Sequence, residues 1–507
     1  MDYIEKLELN DPTLVNLNLY HYTLNSKDVP RLLKALESNS NLEVLNLSIN
    51  NIGYKEAEHL GKFLENNRTI KELRIDHNSI GDRGVKNLTD ALKINNALEV
   101  LVINNIGLTI EGVNYLADML TINKGLKFLS IANNRLQSQD IINLIESLKR
   151  NNTLKSFNIL GNNIRNEGVF LLRELLEANH VLNNLNISDN YIGLDGVIHL
   201  AEALKVNNTL RILNFRHNGI GIDGARFLGR MLEINTGLEE LILSFSHLES
   251  EGIRYLFKSL KYNKHLTYLD IIYNNGIIDE SYIQEILEVN TSLNHLNIIG
   301  NKITKKGARY LSEGLKINKS LHRLDIENNS QDQEIMEDLK EALEVNETLR
   351  TLVIITKNSE DITHLSELIK NTNILTDISI RYRNITDEDV YNLSQALKVN
   401  TSLQSFTIRN RLNVESLRNL SEALKVNNTL EAMDVKFSDL QDDDLDYIGI
   451  ITKSTHINGL YQRFIKYRKI EDEKVEVFSH ILMIKNPEIP VEIRDMIIEQ
   501  YILSLKE

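Results

Sequence analysis

Apolar residues recur along this chain with a period of 28 residues. The pattern Leu-x-x-Leu-x-Leu, with other large apolar residues at some positions, occurs sixteen times between residues 14 and 450. The first nine steps are 28 residues each, and the later ones are 27, 28, 28, 26, 28 and 27. Such a period indicates a solenoid of stacked structural units. The copies begin at Leu14, Leu42, Ile70, Leu98, Leu126, Leu154, Leu182, Leu210, Leu238, Leu266, Leu293, Leu321, Leu349, Leu375, Leu403 and Leu430.

Within each unit the apolar spacing changes from that of a strand to that of a helix. In the copy that begins at Leu182, Leu185 and Ile187 are separated by one polar residue, which is the period of a strand. Leu200 and Leu204 then follow four residues apart, which places them on one face of a helix. Each unit is therefore predicted to run strand, turn, helix and return, and to bury its apolar faces only against its neighbours.

The two halves of the unit pack with different spacings. Parallel strands lie roughly 4.8 Å apart, whereas packed helices need roughly 8–10 Å between their axes. We therefore expect an α/β solenoid shaped like a horseshoe, with a parallel β-sheet on the concave face and helices on the convex face. It should contain about sixteen units over residues 14–450.

An asparagine follows most of the predicted strands at the ninth position of the unit. Its amide group can donate and accept hydrogen bonds, so it can satisfy backbone groups where the chain turns, including those of the next unit. We interpret this residue as part of the scaffold. It occurs as Asn50, Asn78, Asn134, Asn162, Asn190, Asn218, Asn274, Asn301 and Asn329.

The full pattern is L-x-x-L-x-L-x-x-N-x-I-x-x-x-G-x-x-x-L-x-x-A-L-x-x-N, and it is nearly complete in the units that begin at Ile70, Leu182 and Leu210. It resembles the ribonuclease-inhibitor class of leucine-rich repeats, which the RanGAP family and NOD-like receptors share. The resemblance implies a binding scaffold, because this fold serves many partners. The abundance of Ile, Asn and Lys, without Cys or Trp, is similar to leucine-rich-repeat effectors that intracellular bacteria inject into host cells.

The two ends of the chain depart from the repeat and are expected to cap the solenoid. Residues 1–13 are predicted to form an N-terminal cap, in which Ile4, Leu7 and Leu9 form an extra strand. Residues 451–507 are predicted to form a C-terminal helical cap. Residues 489–498 resemble the opening helix of F-box segments, which implies an adaptor that recruits a ubiquitin ligase.

The charge and composition limit the classes of partner that the protein is expected to bind. A net charge of −14 does not favour nucleic acid or an anionic membrane, because such partners need a basic surface. No apolar stretch approaches the length that would insert into a bilayer. The chain has no cysteine, which excludes disulfides and thiolate metal sites. We expect a monomer that is cytoplasmic, or secreted by a bacterium into the host cytosol, and that binds a protein.

Motifs of catalysis and of cofactor binding are missing from the sequence. It contains no phosphate-binding loop, no H-E-x-x-H zinc helix, no G-x-S-x-G elbow and no kinase motifs. The thirteen histidines are scattered, and none has a partner at a convincing metal-ligand spacing. The sequence therefore predicts a protein that is not an enzyme, without a cofactor or a metal.

Most outward positions of the strands carry small or polar residues, and two groups of residues depart from that rule. The first belongs to the units that begin at Leu238 and Leu266, and its aromatic residues are typical interface anchors. The alternative is that Phe245 or Tyr273 packs under the adjoining loop. The group comprises Ile242, Phe245, Tyr268, Asp270, Ile272 and Tyr273.

The second group is cationic and lies further along the chain. Lys357, Arg383 and Arg411 replace the ninth-position asparagine in three units. A charge cannot occupy that buried position unpaired, so these side chains either turn outward or meet carboxylates such as Glu360, Asp387 or Asp389. If they turn outward, they form a basic stripe that suits an acidic peptide or a phosphate. The predicted binding residues here are Arg381, Tyr382, Arg383, Arg409 and Arg411.

Three functions fit these observations. The first is a non-catalytic protein-interaction scaffold that binds a partner on its concave face, and the likeness to bacterial effectors implies a host protein as that partner. The second is an adaptor that reaches the ubiquitin machinery through its last helix. The third, which the likeness to the RanGAP family implies, is a GTPase-activating protein.

Overall fold

Helices and strands alternate along the chain, as the repeat predicts. The structure, a computed structural model, describes residues 2–24, 26–278, 280–327, 335–356, 359–382 and 385–437. A short 3-10 helix, Ser138–Ile141, precedes α6. The helices are α1 Asp2–Glu8, α2 Asp28–Leu36, α3 Tyr54–Asn66, α4 Gly81–Leu92, α5 Ile110–Ile122, α6 Ile142–Arg150, α7 Arg165–Ala178, α8 Leu194–Val206, α9 Gly221–Leu232, α10 Glu249–Leu260, α11 Tyr282–Val289, α12 Lys305–Ile317, α13 Ile335–Val345, α14 Ser359–Asn371, α15 Asp387–Val399 and α16 Val414–Leu424.

Most strands in the first half of the chain are three residues long, and those after β13 have five to eight residues. A strand of three residues is enough here because each repeat contributes only one rung to the sheet. The strands are β1 Asn16–Asn18, β2 Val44–Asn46, β3 Glu72–Arg74, β4 Val100–Val102, β5 Phe128–Ser130, β6 Ser156–Asn158, β7 Asn184–Asn186, β8 Ile212–Asn214, β9 Glu240–Ile242, β10 Tyr268–Asp270, β11 Ile277–Ile278, β12 His295–Asn297, β13 Lys302–Ile303, β14 Arg323–Glu327, β15 Thr351–Thr356, β16 Asp377–Tyr382, β17 Ser405–Leu412 and β18 Ala432–Phe437.

The chain divides between Leu269 and Asp270 into two compact units, which we call unit 1 and unit 2. In unit 1, β1 to β9 pair in parallel and in chain order. In unit 2, β12 and β14 to β18 pair in the same way, and β11 and β13 form a separate two-stranded parallel sheet. Equivalent residues of successive repeats are opposite each other, as Leu185 is to Leu213.

The apolar positions of the repeat form the core between the strands and the helices. In the repeat that begins at Leu182, the strand residues Leu185 and Ile187 and the helix residues Leu200 and Leu204 are all buried. Each such side chain stabilises the fold by about 1.5–3 kcal/mol through the area it removes from water. Within each unit consecutive helices pack against each other, so the predicted α/β leucine-rich-repeat solenoid, with strands in one layer and helices in the other, is confirmed.

The ninth-position asparagine connects its own repeat to the preceding one, whereas the sequence predicted a link to the next unit. The side-chain nitrogen of Asn218 donates to the carbonyl oxygens of Ile187 and Phe215, both at 3.1 Å. Its side-chain oxygen accepts from the backbone nitrogens of Asn190 and Ile192, also at 3.1 Å. The same contacts recur at the other described copies, and we call this set of residues the asparagine ladder.

The residue before the ninth position of the repeat has a left-handed backbone. Its φ is positive in ten successive repeats, which turns the chain from the strand into the core. Asn, Asp and Gly tolerate this conformation, whereas a bulky residue is strained by about 1–2 kcal/mol. The residues are Ile49, His77, Asn105, Asn133, Gly161, Asp189, His217, Phe245, Tyr273 and Gly300.

A second asparagine, which sequence reasoning left unassigned, ends most helices. The side-chain nitrogen of Asn207 donates to the carbonyl oxygen of Leu176 in the preceding repeat at 2.7 Å. Its side-chain oxygen accepts from the backbone nitrogens of Thr209 and Leu210 at 3.1 and 2.9 Å. The Asn-x-Thr-Leu joint of the repeat is thus a helix end and a link between repeats.

The N-terminal segment differs from the prediction. Residues 2–8 form the helix α1 and not a strand. Ile4 and Leu7 are three residues apart, so both lie on the buried side of that helix, while Leu9 beyond its end is 74% exposed. The spacing of three favours a helix more than a strand. The predicted C-terminal cap, 451–507, lies outside the described residues.

The later strands of unit 2 are longer than those of unit 1. Asn329 and the residues at its position in the next two repeats, Lys357 and Arg383, lie outside the described residues. β14 to β18 have five to eight residues. Longer strands expose more side chains on the face that points away from the helices.

Replacing a ladder asparagine should strongly destabilise the protein. In Asn218→Ala, two backbone donors and at least two backbone acceptors would lose their partner inside the protein. We expect the free energy of unfolding to fall by about 3 kcal/mol, measured by urea denaturation. Asn208→Ala, at an exposed position, is the matched control and should change it by less than about 0.5 kcal/mol. Equal effects of the two variants would refute the proposed role of the ladder.

Candidate functional site

The strands of unit 2 each expose up to three side chains away from the helices. On β16 these are Asp377, Ser379 and Arg381, while Ile378 and Ile380 between them are buried. We call this surface the strand face. Parallel pairing aligns its residues in rows across the strands, and Ile355 of β15 is opposite Arg381 in the third of these rows.

A groove of about 400 Å³ lies on the strand face of unit 2, and we call it the strand-face groove. Apolar, cationic and hydroxyl side chains line it in comparable number, which is typical of a surface that recognises another molecule. The lining residues are Ile272, Tyr273, Ile299, Arg323, Asp325, Thr351, Val353, Ile355, Asp377, Ile378, Ser379, Arg381, Ser405, Thr407 and Arg409.

The groove brings together residues from both predicted binding groups. Ile272 and Tyr273 come from the aromatic group, and Arg381 and Arg409 come from the cationic group. They are more than a hundred residues apart in sequence, and parallel stacking of the repeats places them on one surface. No spacing rule in the sequence states this, because it depends on how far the groove extends across the strands.

Tyr273 occupies a strained position at one end of the groove. Its φ is 48°, and its side chain is 45% exposed, so it does not pack under the adjoining loop. The ring lies against Gly300 of the next repeat, where an added Cβ would stand only 2.1 Å from a ring carbon. The left-handed backbone is shared by the equivalent residues of ten repeats, so what Tyr273 adds to the groove is a large, exposed ring.

Arg381 and Arg409 are exposed at the other end of the groove. The structure gives neither guanidinium group an ion pair within the described part of the chain. Asp389 caps its own helix α15, and Asp387 accepts hydrogen bonds from the start of α16. The choice between the two alternatives for Lys357, Arg383 and Arg411 stays a prediction, because these side chains lie outside what the structure describes.

Two predicted site residues are buried. Tyr382 is only 5% exposed, because Arg381 before it points outward and the strand alternates. Burial raises the pKa of the Tyr382 hydroxyl, and the nearby Asp389 and Asp361 raise it further. Asp270 is buried at the end of β10, where it accepts a hydrogen bond from the backbone nitrogen of Ile272 at 3.0 Å. The expectation that both side chains are exposed was wrong.

The other predicted residues lie in unit 1 or outside the described structure. Ile242 and Tyr268 are half-buried outward residues of β9 and β10. Phe245 is also half-buried, with a φ of 57°, and the guanidinium carbon of Arg216 lies 4.7 Å from the centre of its ring. Arg383 and the side chain of Arg411 lie outside what the structure describes, so their role stays a prediction.

A buried carboxylate anchors the middle of the groove. Asp325 accepts hydrogen bonds from Nε and Nη2 of Arg323 at 2.9 and 3.1 Å, and Nε2 of His295 lies 3.2 Å from it. Burial alone would raise the pKa of Asp325, but the hydrogen bonds from His295 and Arg323 hold it below its usual value. The carboxylate is therefore ionised at neutral pH, and its charge is largely cancelled by Arg323.

Sequence reasoning missed the apolar floor of the groove. Ile299, Val353 and Ile355 contact the same space as the predicted residues. The signal was present in β15, where Thr-Leu-Val-Ile-Ile-Thr continues the alternation beyond the three residues of a normal repeat. Unit 1 also carries an unpredicted aromatic residue, Phe128, half-buried at an outward position of β5.

Sites for metals or for membranes were also sought in the described residues. They contain no group of three or more His, Asp or Glu side chains that could hold a metal ion. His77 contacts Asn105 at 2.8 Å, and His217 contacts Asp189 at 3.0 Å, so each of these exposed histidines bridges two repeats. None of the described helices is long and apolar enough to cross a bilayer.

Comparisons with known proteins agree with the repeat. The family described as Leucine Rich repeat matches residues 38–55, 66–88, 150–172, 206–229 and 289–312. A crystal structure of a TLR13–ssRNA13 complex is similar to this chain, with a TM-score of 0.46 and 16% identity. The match covers 83% of this chain and only 63% of that one. No curated protein matches the sequence. These five segments match the leucine-rich-repeat family, and the assignment of the chain to the ribonuclease-inhibitor class stays a prediction.

The contact between Tyr273 and Gly300 can be tested by a double-mutant cycle. Gly300→Ala adds a Cβ at a φ of 72° and drives it into the ring, so we expect a loss of about 3 kcal/mol in the free energy of unfolding. In the Tyr273→Ala background only the backbone strain remains, and the loss should fall to about 1 kcal/mol. Equal losses in both backgrounds, measured by urea denaturation, would show that the ring does not lie there.

The ionised state of Asp325 gives a pH-dependent prediction. Because its folded pKa lies below the unfolded value of 3.8, the ion pair stabilises the protein above that pH and loses its effect as the pH falls through the lower, folded value. Asp325→Asn should therefore reduce the free energy of unfolding by about 1–2 kcal/mol at pH 7, and by progressively less below about pH 4. A difference that stays constant down to pH 3 would contradict this.

Proposed function

We propose that this leucine-rich-repeat chain is a non-catalytic protein-interaction scaffold that holds a partner protein in the strand-face groove of unit 2. The observation that carries the proposal is the pairing of two exposed arginines with an exposed, strained tyrosine around one apolar floor. Tyrosine and arginine are the side chains that most often dominate the binding energy of protein interfaces.

A specific interface needs apolar contact area and directed hydrogen bonds, and the groove supplies both. Ile299, Val353, Ile355 and Tyr273 offer apolar area that a partner can cover. The guanidinium groups can form charge-assisted hydrogen bonds of about 1.5–3 kcal/mol each once water is excluded. Because the described residues give neither arginine an ion pair, a partner does not have to break one before it binds.

The likeness to effectors of intracellular bacteria suggests a host protein as the partner and the host cytosol as the place of action. That part of the proposal depends on composition alone. The adaptor hypothesis concerns residues 489–498, which lie outside the described residues. No residue of the groove favours the GTPase-activating hypothesis, so we propose no second function.

Charge reversal in the groove should abolish partner capture. The immobilised full-length chain and its Arg381→Glu/Arg409→Glu variant would be incubated with the same cell lysate, and bound proteins quantified by mass spectrometry. We expect at least one protein to be captured by the wild type and reduced ten-fold or more by the variant.

A matched variant distinguishes the effect of charge reversal in the groove from the effect of the same change in the protein's net charge. Arg309→Glu/Lys370→Glu makes the same change of charge at exposed helix positions of unit 2 and should capture the partner as the wild type does. Capture that is unchanged by the groove variant, or reduced equally by both variants, would refute the proposal. Circular dichroism melting curves must be superimposable for all three proteins.

A further inference from the structure

The third outer row of unit 2 changes from apolar to cationic along its length. The backbone nitrogen of Tyr273 donates to the carbonyl oxygen of Ile299 at 2.9 Å, which places Ile272 and Ile299 in neighbouring strands. Further along, Ile355 is paired directly with Arg381. Arg409 lies one repeat beyond Arg381 and lines the same groove. One end of the row is therefore aliphatic and the other end is positively charged.

The negative charges near this row do not offset the arginines. Glu327 is paired with Ile355 in the register but is buried, so a partner cannot reach it. Asp325 is largely neutralised by Arg323. Asp377 is on the same strand as Arg381 but four residues before it, roughly 13 Å away along a strand. On β18 the half-buried Asp434 pairs in the register with Thr407, two residues before Arg409, and can neutralise at most one of the two arginines. The cationic end of the row thus keeps a net positive charge.

The length of the row sets the size of what can fill it. From the strand of Ile272 to that of Arg409 the groove crosses five strand spacings, or roughly 24 Å. An extended peptide covers about 3.3–3.6 Å per residue, so about seven residues would span the row. This is a segment of a protein and not a small molecule.

We infer that the strand-face groove holds an extended acidic segment of the partner protein, lying across the strands with an apolar side chain at the Tyr273 end and carboxylates at the Arg381 and Arg409 end. The inference rests on the proposed function and specifies its ligand. Charge complementarity carries it, because these exposed cations belong to a protein with a net charge of −14.

A nucleic acid fits the groove less well. Single-stranded RNA binds to grooves in which basic residues follow the backbone and aromatic rings stack on successive bases. This groove has one exposed ring, Tyr273, and its floor is aliphatic. Two arginines that are free of ion pairs in the described structure would neutralise few phosphates.

The inference can be tested by selecting peptides on the full-length protein. A library of random twelve-residue peptides displayed on phage would be selected against the wild type and against Arg381→Glu/Arg409→Glu. Among peptides recovered on the wild type, we expect Asp and Glu at twice or more their frequency in the starting library. A large apolar residue should recur about four to six positions from the acidic pair.

Individual peptides then identify the two ends of the groove. A selected peptide should bind at least ten-fold more weakly to Arg381→Glu/Arg409→Glu, and also more weakly to Tyr273→Ala, while Arg309→Glu/Lys370→Glu leaves its affinity unchanged. Replacing the acidic residues of the peptide by Ala should weaken binding to the wild type but not to the arginine variant, because the two changes remove the same contact.

The outcomes separate this inference from the proposed function. Peptides that need Tyr273 and the arginines but show no enrichment in Asp and Glu would overturn the inference and leave the groove as the binding site. A selection in which no peptide depends on the groove would contradict the proposed function as well. Tighter binding of oligouridylate than of any selected peptide, lost in the arginine variant, would overturn the choice of a protein ligand.

Discussion

Each short strand of unit 1 ends by turning its backbone into the core, where amide and carbonyl groups would lose water without a partner. The asparagine ladder satisfies them: one amide group bonds to backbone atoms of its own repeat and of the preceding repeat, as Asn218 does. Unsatisfied, each buried group would cost about 1–3 kcal/mol. Asparagine suits this position because its short side chain both donates and accepts hydrogen bonds. The same contacts, repeated from one repeat to the next, keep the strands in parallel register.

From β14 onward the strands are longer and a surface forms. β14 to β17 run two to five residues longer than the strands of unit 1, and each additional outward position adds a side chain to the strand face. Ile355, Arg381 and Arg409 occupy such positions. The longer strands of unit 2 therefore position the groove.

The period of 28 residues was sufficient to predict the strands, the helices, the core and the ladder, because each is a local rule repeated many times. Local rules failed where the repeat ends: Ile4 and Leu7 form one side of a helix. Tyr382, a predicted binding residue, is buried because the alternation along β16 points Arg381 outward and Tyr382 inward. The sequence predicted several residues of the groove but not the groove itself. Tyr273 and Arg381 stand out as unusual residues in their repeats, but their common surface follows from stacking.

The central claim is that the strand face of unit 2, and not the helix face, contacts the partner. Hydroxyl-radical footprinting of the full-length chain, free and bound, tests it directly with two tyrosines of similar exposure: Tyr273 in the groove at 45% and Tyr391 on helix α15 at 49%. The claim predicts that the partner slows oxidation of Tyr273 several-fold and leaves Tyr391 unchanged. Protection of Tyr391 with no change at Tyr273 would contradict it.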